Sequence, residues 1–285
     1  MRVAFQGERG AFSEEAAIKL LGEEIRLVPR PTFEALFSAV GEGVADRALA
    51  PMENSLAGSV ARSYDLLLES DLMIEAEVII PITHTLIGCP AATLDAVCVV
   101  ESHPVALAQC EQFFAAHPRI ERIATDDTAA SARRVVERGD PSRAAIASRR
   151  AAALYGGQIL AEHLEDDPEN YTRFVLLAPS PVVSGDADKV SLAIQLKHQP
   201  GALYHALEPF ARRGINLLKI ESRPVKGRPW QYHIYLDLKT SPDSRETDDG
   251  LAELQAHAEE VRLLGHYVSA QAGEGNRRQA GLTAT

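Results

Sequence analysis

Positive charge is in short supply in this chain: 29 lysines and arginines stand against 40 aspartates and glutamates, a formal net charge of −11. A nucleic-acid backbone or an anionic membrane surface demands a basic face, so neither is expected as a partner. An anionic small ligand would need its positive potential supplied locally. Cysteine is scarcer still. Cys89, Cys98 and Cys110 lie at spacings that fit no zinc pattern and no disulfide framework, and read as free thiols in a reducing cytoplasm. No apolar run approaches the length of a membrane span, and Met1-Arg2-Val3-Ala4-Phe5 runs directly into a strand without a secretory leader.

What is present is an ordinary globular composition, 46% hydrophobic and 24% charged, in 285 residues, which is long for one core and predicts two or three domains. The strand Val3–Gln6 is followed by a glycine loop, Gly7 to Ser13, and a helix through Leu21. Exposed amides at that helix start, with Ser13 as N-cap, would favour an anion, although a plain tight turn fits equally. The loop is neither a phosphate loop nor a GxGxxG fingerprint, so nucleotide binding has no support. A second strand near Ile25–Val28 leads to a helix capped by Thr32, and a third, Ala48–Ala50, ends in Pro51-Met52-Glu53-Asn54-Ser55. Polar side chains at the carboxyl end of a strand in a βαβα pattern sit where open parallel sheets place ligands.

The rhythm restarts after an extended apolar stretch from Leu72 to Ile87 broken by Pro81. Strands are expected at 96–100, 120–124 and 144–147, with a helix from Ser102 through Phe114, another from Thr128 through Val136 and a third over 148–154. Two α/β lobes crossed near Val78–Thr83 and Glu165–Thr172 would enclose a cleft. Ser102 and Gln109, two helical turns apart, would then line it from one helix face. The stretch Asn170-Tyr171-Thr172-Arg173-Phe174 stands on the second crossing at the mouth of an apolar strand. Its cation and hydroxyl either satisfy each other or wait for an anionic ligand.

Pro179 to Asp186 reads as a linker. Beyond it, strand 190–196, helix 202–212, strand 216–221, strand 231–238, helix 248–259 and strand 262–270 spell βαββαβ, the ferredoxin-like order. The residues from Gly273 are polar and read as a disordered tail, 273–285.

Gly7 to Ser13, Pro51 to Ser55, Ser102-His103-Pro104 with Gln109, Tyr155-Gly156 and Asn170 to Phe174 stand in the order and spacing of the prephenate dehydratases. Gly201-Ala202-Leu203 and Glu221-Ser222-Arg223-Pro224 resemble the phenylalanine-binding motifs of the ACT domain those enzymes carry. The resemblance covers nearly the whole chain. It implies an α/β fold, with a two-lobed, periplasmic-binding-protein-like (type II) catalytic domain over 1–180. Lobe 1 would comprise about 1–80 and 168–180, and lobe 2 about 81–167. A linker, 181–188, and an ACT regulatory domain, 189–272, would follow.

The resemblance further implies conversion of prephenate to phenylpyruvate, water and carbon dioxide in the cytoplasm, with no metal and no organic cofactor. Its catalytic residues would be Thr172, Glu53, Asn54, Ser102 and Gln109, with Arg173, Ser55, Phe174 and Thr128 holding substrate. Phenylalanine, as effector, would bridge Gly201, Ala202 and Leu203 of one chain and Asn216 with the Glu221-Ser222 region of its partner, Leu217 being counted among the contacts, in a homodimer or homotetramer formed through the ACT domain. No chorismate mutase segment precedes the first strand, so a monofunctional enzyme is expected. Arogenate dehydratase and a non-catalytic two-lobed solute sensor are the alternative readings. The sign of the effector's coupling is not readable, because activation would use the same contacts with the preference reversed; resemblance alone points to inhibition. Several positions depart from the family pattern. Glu8 and Ala11 stand for proline and threonine, Met52 for isoleucine, Asp127 for serine and Leu218 for threonine. Asp127 matters most, since a carboxylate beside a dianionic substrate is unfavourable unless it caps the next helix.

Overall fold

The computed structural model describes residues 1–181, 183–240 and 244–270. The chain begins β1 (Arg2–Gln6), α1 (Phe12–Leu21), β2 (Arg26–Arg30), α2 (Phe33–Gly41), β3 (Arg47–Asn54), β4 (Gly58–Ser59), α3 (Ala61–Glu69) and β5 (Met73–Pro81). It continues β6 (Thr85–Gly88), β7 (Val99–Ser102), α4 (Pro104–Ala108), α5 (Glu111–Ala116), β8 (Glu121–Ala124), α6 (Thr128–Arg138), β9 (Arg143–Ala147), α7 (Arg149–Tyr155), β10 (Gln158–Ala161) and β11 (Tyr171–Ala178). The rest is β12 (Lys189–Leu196), α8 (Ala202–Arg212), β13 (Leu217–Pro224), β14 (Tyr232–Lys239), α9 (Arg245–His257) and β15 (Ala258–Tyr267). Two compact units result: Met1–Val60 with Val78–Phe174, and Ala61–Glu77 with Val175–Ala270.

Two sheets make up the first unit. In one, β1 lies parallel to β2 and β3, with Ala4 opposite Val28 and Ala48. β2 is the outer strand, which is why Pro29, lacking an N–H, is tolerated within it. The other sheet runs β10-β6-β9-β7-β8, with β7 parallel to β8 and β9, and β6 antiparallel to β9 and β10. Ala129, Ala132, Ala151 and Ala152 let α6 and α7 lie close to Phe5, Ile87 and Ala147.

Several elements start or stop where distant residues, not local pattern, dictate. The helix expected from Ser102 past Phe114 is two short helices, because the carboxylate of Asp166 accepts from the amides of Glu111 (2.8 Å) and Gln112 (2.9 Å) and starts a new helix there. The same residue's amide donates to the Gln109 carbonyl (2.8 Å), ending the first one. Its N-cap is His103, not Ser102. Ser13 is likewise not a cap: α1 starts after Ala11, with Ser13 buried inside it. A turn over Leu94–Ala96 replaces the start of the expected strand, which begins at Val99. β3 runs on through Asn54 because β4 folds back on it, pairing Glu53 with Ser59.

In the second unit β13-β14-β12-β15 form an antiparallel sheet with the element order βαββαβ. α8 and α9 bury Ala206, Phe210 and Leu254 against Val190, Ile194 and Leu236. β15 also touches β5, Gly265 opposite Ile74. A Cβ at Gly265 would stand 2.4 Å from the Ile74 carbonyl oxygen, so only glycine allows this approach. Residues 179–181 and 183–188 form neither helix nor strand. The tail expected at 273–285 lies outside the described residues. Among those described, no helix is long and apolar enough to cross a membrane.

Candidate active site

Strand alternation puts Asn170 and Thr172 on one side of the start of β11, and β3 delivers Asn54 to them. The Asn54 amide nitrogen donates to Asn170 Oδ1 (2.7 Å), to the Tyr171 carbonyl (3.1 Å) and to Thr172 Oγ1 (3.0 Å). Its oxygen accepts from the backbone amides of Leu56 (3.1 Å) and Ala57 (2.8 Å). Backbone N–H groups only donate, so they settle which end of the Asn54 amide is oxygen.

Gln109, turned inward at the break between α4 and α5, closes a ring. Its Nε2 donates to Asn54 Oδ1 (3.3 Å), and its Oε1 accepts from Asn170 Nδ2 (2.9 Å). Three side-chain amides therefore run head to tail, and the direction fixed at Asn54 is inherited by all three. The same Gln109 Oε1 lies 2.9 Å from His84 Nε2. Burial pushes the His84 imidazole below its ordinary range, outweighing the Gln109 hydrogen bond and the charge of Glu165, which favour the cation. Thr172, only 8% exposed, accepts from Asn54, which leaves its own O–H free to donate elsewhere.

Of the residues expected in the site, Asn54, Gln109 and Thr172 are brought together, and Asn170, two residues before Thr172, joins them. The i, i+2 spacing of Asn170 and Thr172 on a strand was the signal for it. His84 and Glu165 carried no such signal, since their neighbours are distant in sequence. Ser102 ends β7, fully buried, and donates to the Ile146 carbonyl (2.6 Å), tying two strands together and not lining the cleft. Alternation turns Glu53 away from Asn54, and half-buried Arg173 away from Thr172. Ser55 bridges the Glu169 carbonyl (2.7 Å) and the Tyr171 amide (2.9 Å). Phe174 is buried. Thr128 opens α6 behind its cap Asp127, whose Oδ1 accepts from the Ala130 amide (2.7 Å). The departure at Asp127 is thereby accounted for as a helix cap.

The glycine loop is not an open anion cradle. Its Gly10 amide donates to Glu14 Oε2 (3.0 Å), and the Gly10 carbonyl accepts from Ser148 Oγ (2.6 Å). A Cβ at Gly10, whose φ is +86°, would lie 2.9 Å from the Ala151 backbone, so the loop packs directly on α7. Glu14, with a fully buried carboxylate, also accepts from Arg9 Nε (2.7 Å) and Arg150 Nε (2.8 Å). Burial raises its pKa, yet the hydrogen bonds from Arg9, Arg150 and Gly10 outweigh that and leave it below the ordinary glutamate range. A depressed carboxyl contributes stability above its unfolded pKa and loses it as pH falls through the folded value. The expected result is that wild-type protein loses thermal stability as pH drops below about 4.3, while Glu14→Gln loses distinctly less over that window. Parallel melting-temperature profiles for the two proteins would dismiss the assignment.

The second unit holds a cavity of about 470 Å³ at the start of α8. Gly201, Ala202, Leu203 and Ser222 line it together with Trp230 and Tyr232. Gly201 adopts a φ of 77° at the helix N-cap, a left-handed conformation that suits glycine. Asn216 and Glu221, expected from a partner chain, and Leu217 are not among the residues that line it within this one chain. Leu217 packs into the helix-covered core. Glu221, opposite Tyr235, is next to the cavity-lining Ser222 on β13, so alternation turns it to the other face. The Asn216 carbonyl accepts from the Lys239 amide.

Residues 3–181 match the family profile described as prephenate dehydratase. Arogenate dehydratase/prephenate dehydratase 1, chloroplastic, of Arabidopsis thaliana is 41% identical over 283 residues, covering 94% of this chain and 72% of that protein. Among solved structures, the prephenate dehydratase of Arthrobacter aurescens in complex with L-Phe matches at TM-score 0.85 and 33% identity, over 94% of this chain and 90% of that one. A structure described as GqqA, a novel type of quorum quenching acylase, matches at TM-score 0.86 and 33% identity, over 94% and 98%.

Proposed function

We propose that this chain, which belongs to the prephenate dehydratase family, converts prephenate to phenylpyruvate, water and carbon dioxide. The ring carboxylate leaves as carbon dioxide, the electrons of its C–C bond enter the ring, and the C–O bond to the hydroxyl breaks; one proton taken up makes that hydroxyl water. Aromatisation supplies the driving force, so the protein has only to orient a dicarboxylate and stabilise a departing hydroxide. The observation that carries the reading is the Thr172 hydroxyl, held as acceptor by Asn54 with its hydrogen free. Threonine is too weak an acid to protonate the leaving group outright, so Thr172 stabilises developing charge by hydrogen bonding.

Steady-state turnover of prephenate and of arogenate by the purified chain tests this. Negligible rates on prephenate beside brisk rates on arogenate would transfer the assignment to arogenate dehydratase, the activity its plant relatives are named for. Ligand binding without release of carbon dioxide would make it a sensor. An acylase reading asks for a nucleophile beside a base, whereas the Thr172 hydroxyl is bonded to an amide.

We further assign residues 1–180 as the catalytic domain and 189–272 as an ACT regulatory domain, with phenylalanine in the cavity at the α8 N-terminus. A relative of the same architecture was solved with L-Phe; amides at a helix start favour a carboxylate, and Leu203, Trp230 and Tyr232 offer apolar walls. β13 is an edge strand whose exposed Leu218 and Ile220 suit pairing with a second copy, which supports a homodimer or homotetramer. The rate without phenylalanine divided by the rate with it should exceed one for wild type. It should fall to about one for Gly201→Val, whose branched side chain strains a left-handed residue by about 1–2 kcal/mol and moves the helix start. Undiminished sensitivity in that variant places the effector elsewhere.

A further inference from the structure

We propose that His84 is a positioning residue for the reaction assigned above, its Nε2–H holding the Gln109 carbonyl and, through it, the amide ring that orients Thr172. The inference rests on that functional reading. It begins from the direction of the ring, which the backbone amides of Leu56 and Ala57 fix at Asn54. With that direction fixed, the Gln109 atom 2.9 Å from His84 Nε2 is the oxygen, which already accepts from Asn170. Two acceptors do not face each other at that distance, so the proton of the neutral ring sits on Nε2. Nδ1 is then a bare lone pair, and it is buried without a hydrogen-bond partner among the described residues. The opposite tautomer would bury an N–H with nothing to accept it.

Gln109 needs this restraint more than its two companions. Asn54 is anchored by backbone amides and Asn170 directly precedes β11, whereas Gln109 sits at a helix break on a long, half-buried side chain. His84 is itself fixed. Its amide donates to Glu165 Oε2 (2.7 Å), its carbonyl accepts from Leu164 (3.1 Å), its ring stands edge-on to Phe12 at 5.9 Å, and it is 2% exposed. The segment that carries Glu165 carries Asp166, which makes the helix break, so one loop sets both the histidine and the glutamine it holds.

The test compares His84→Leu with His84→Gln, whose amide nitrogen can take the place of Nε2. His84→Leu should lower kcat about 10- to 100-fold, as misplacement of a supporting group does, with KM changed less than about twofold. His84→Gln should recover to within about threefold of wild type, and in a Gln109→Ala background His84→Leu should cost nothing further. Ring ¹⁵N shifts of the wild-type protein should show the Nε2–H tautomer. Equal losses for His84→Leu and His84→Gln, undiminished loss in the Gln109→Ala background, or an Nδ1–H tautomer overturns the proposal. A wild-type chain that turns over neither prephenate nor arogenate overturns the functional reading and this one with it. Normal wild-type turnover that His84→Leu leaves intact overturns this one alone.

Discussion

Thr172→Val is expected to lower kcat about 10²- to 10³-fold, the usual cost of one donor aimed at charge that develops in a transition state, while leaving KM within a few-fold of wild type. Valine keeps the branched shape at a position that is 8% exposed, so the strand has no reason to repack. It removes only an oxygen that accepts from Asn54 and a hydrogen that points away from that bond. Asn54 retains Asn170 Oδ1 and the Tyr171 carbonyl as acceptors for its two amide hydrogens, so no buried donor is stranded. The loss should therefore fall on the step in which the hydroxyl departs and not on substrate capture. A variant whose kcat stays within about threefold of wild type, at an unchanged melting temperature, would make Thr172 a structural residue.

The order of strands and helices was legible because it follows local patterns: alternating or continuous apolar strands, Thr32 capping α2, and βαββαβ after the linker. The site was legible only in part. Asn54 and Thr172 could be picked out because each stands beside others of its motif, but a motif does not say which of its members face inward. Alternation of β3 and β11 separates Asn54 from Glu53 and Thr172 from Arg173, although each pair is adjacent in the chain. Ser102 was drawn to the site by a helix that does not form as expected; what breaks that helix is Asp166, far away in sequence. The glycine loop has amides of the right kind, yet Glu14 and α7 occupy it, a fact set by tertiary packing alone. His84 belongs to no local pattern at all, and its part follows only from which atom of Gln109 it meets.

Asn54→Ala should damage both activity and stability, and Asn54→Asp should separate the two causes. The alanine variant removes the residue that links β3, β11 and Gln109, stranding Asn170 Oδ1 on a side chain that is 1% exposed and leaving Gln109 Nε2 without its acceptor. At about 1–3 kcal/mol for each of these two polar groups left unmade, a loss of about 2–6 kcal/mol is expected, with kcat down at least 10²-fold because the Thr172 hydroxyl loses the donor that orients it. Aspartate keeps an oxygen for the amides of Leu56 and Ala57, so the β3–β4 turn survives. Its second oxygen, though, faces Asn170 Oδ1, the Tyr171 carbonyl and Thr172 Oγ1, three atoms that in wild type accept from an N–H₂. Asn170 can answer by turning its amide over, but that turns its nitrogen away from Gln109 Oε1 and reverses the ring. Thr172 would in addition spend its hydrogen on the new carboxylate. Activity should thus fall as far in Asn54→Asp as in Asn54→Ala, with a smaller loss of melting temperature. Turnover in Asn54→Asp above about a third of wild type would mean that the direction of the amide ring does not govern the Thr172 hydroxyl.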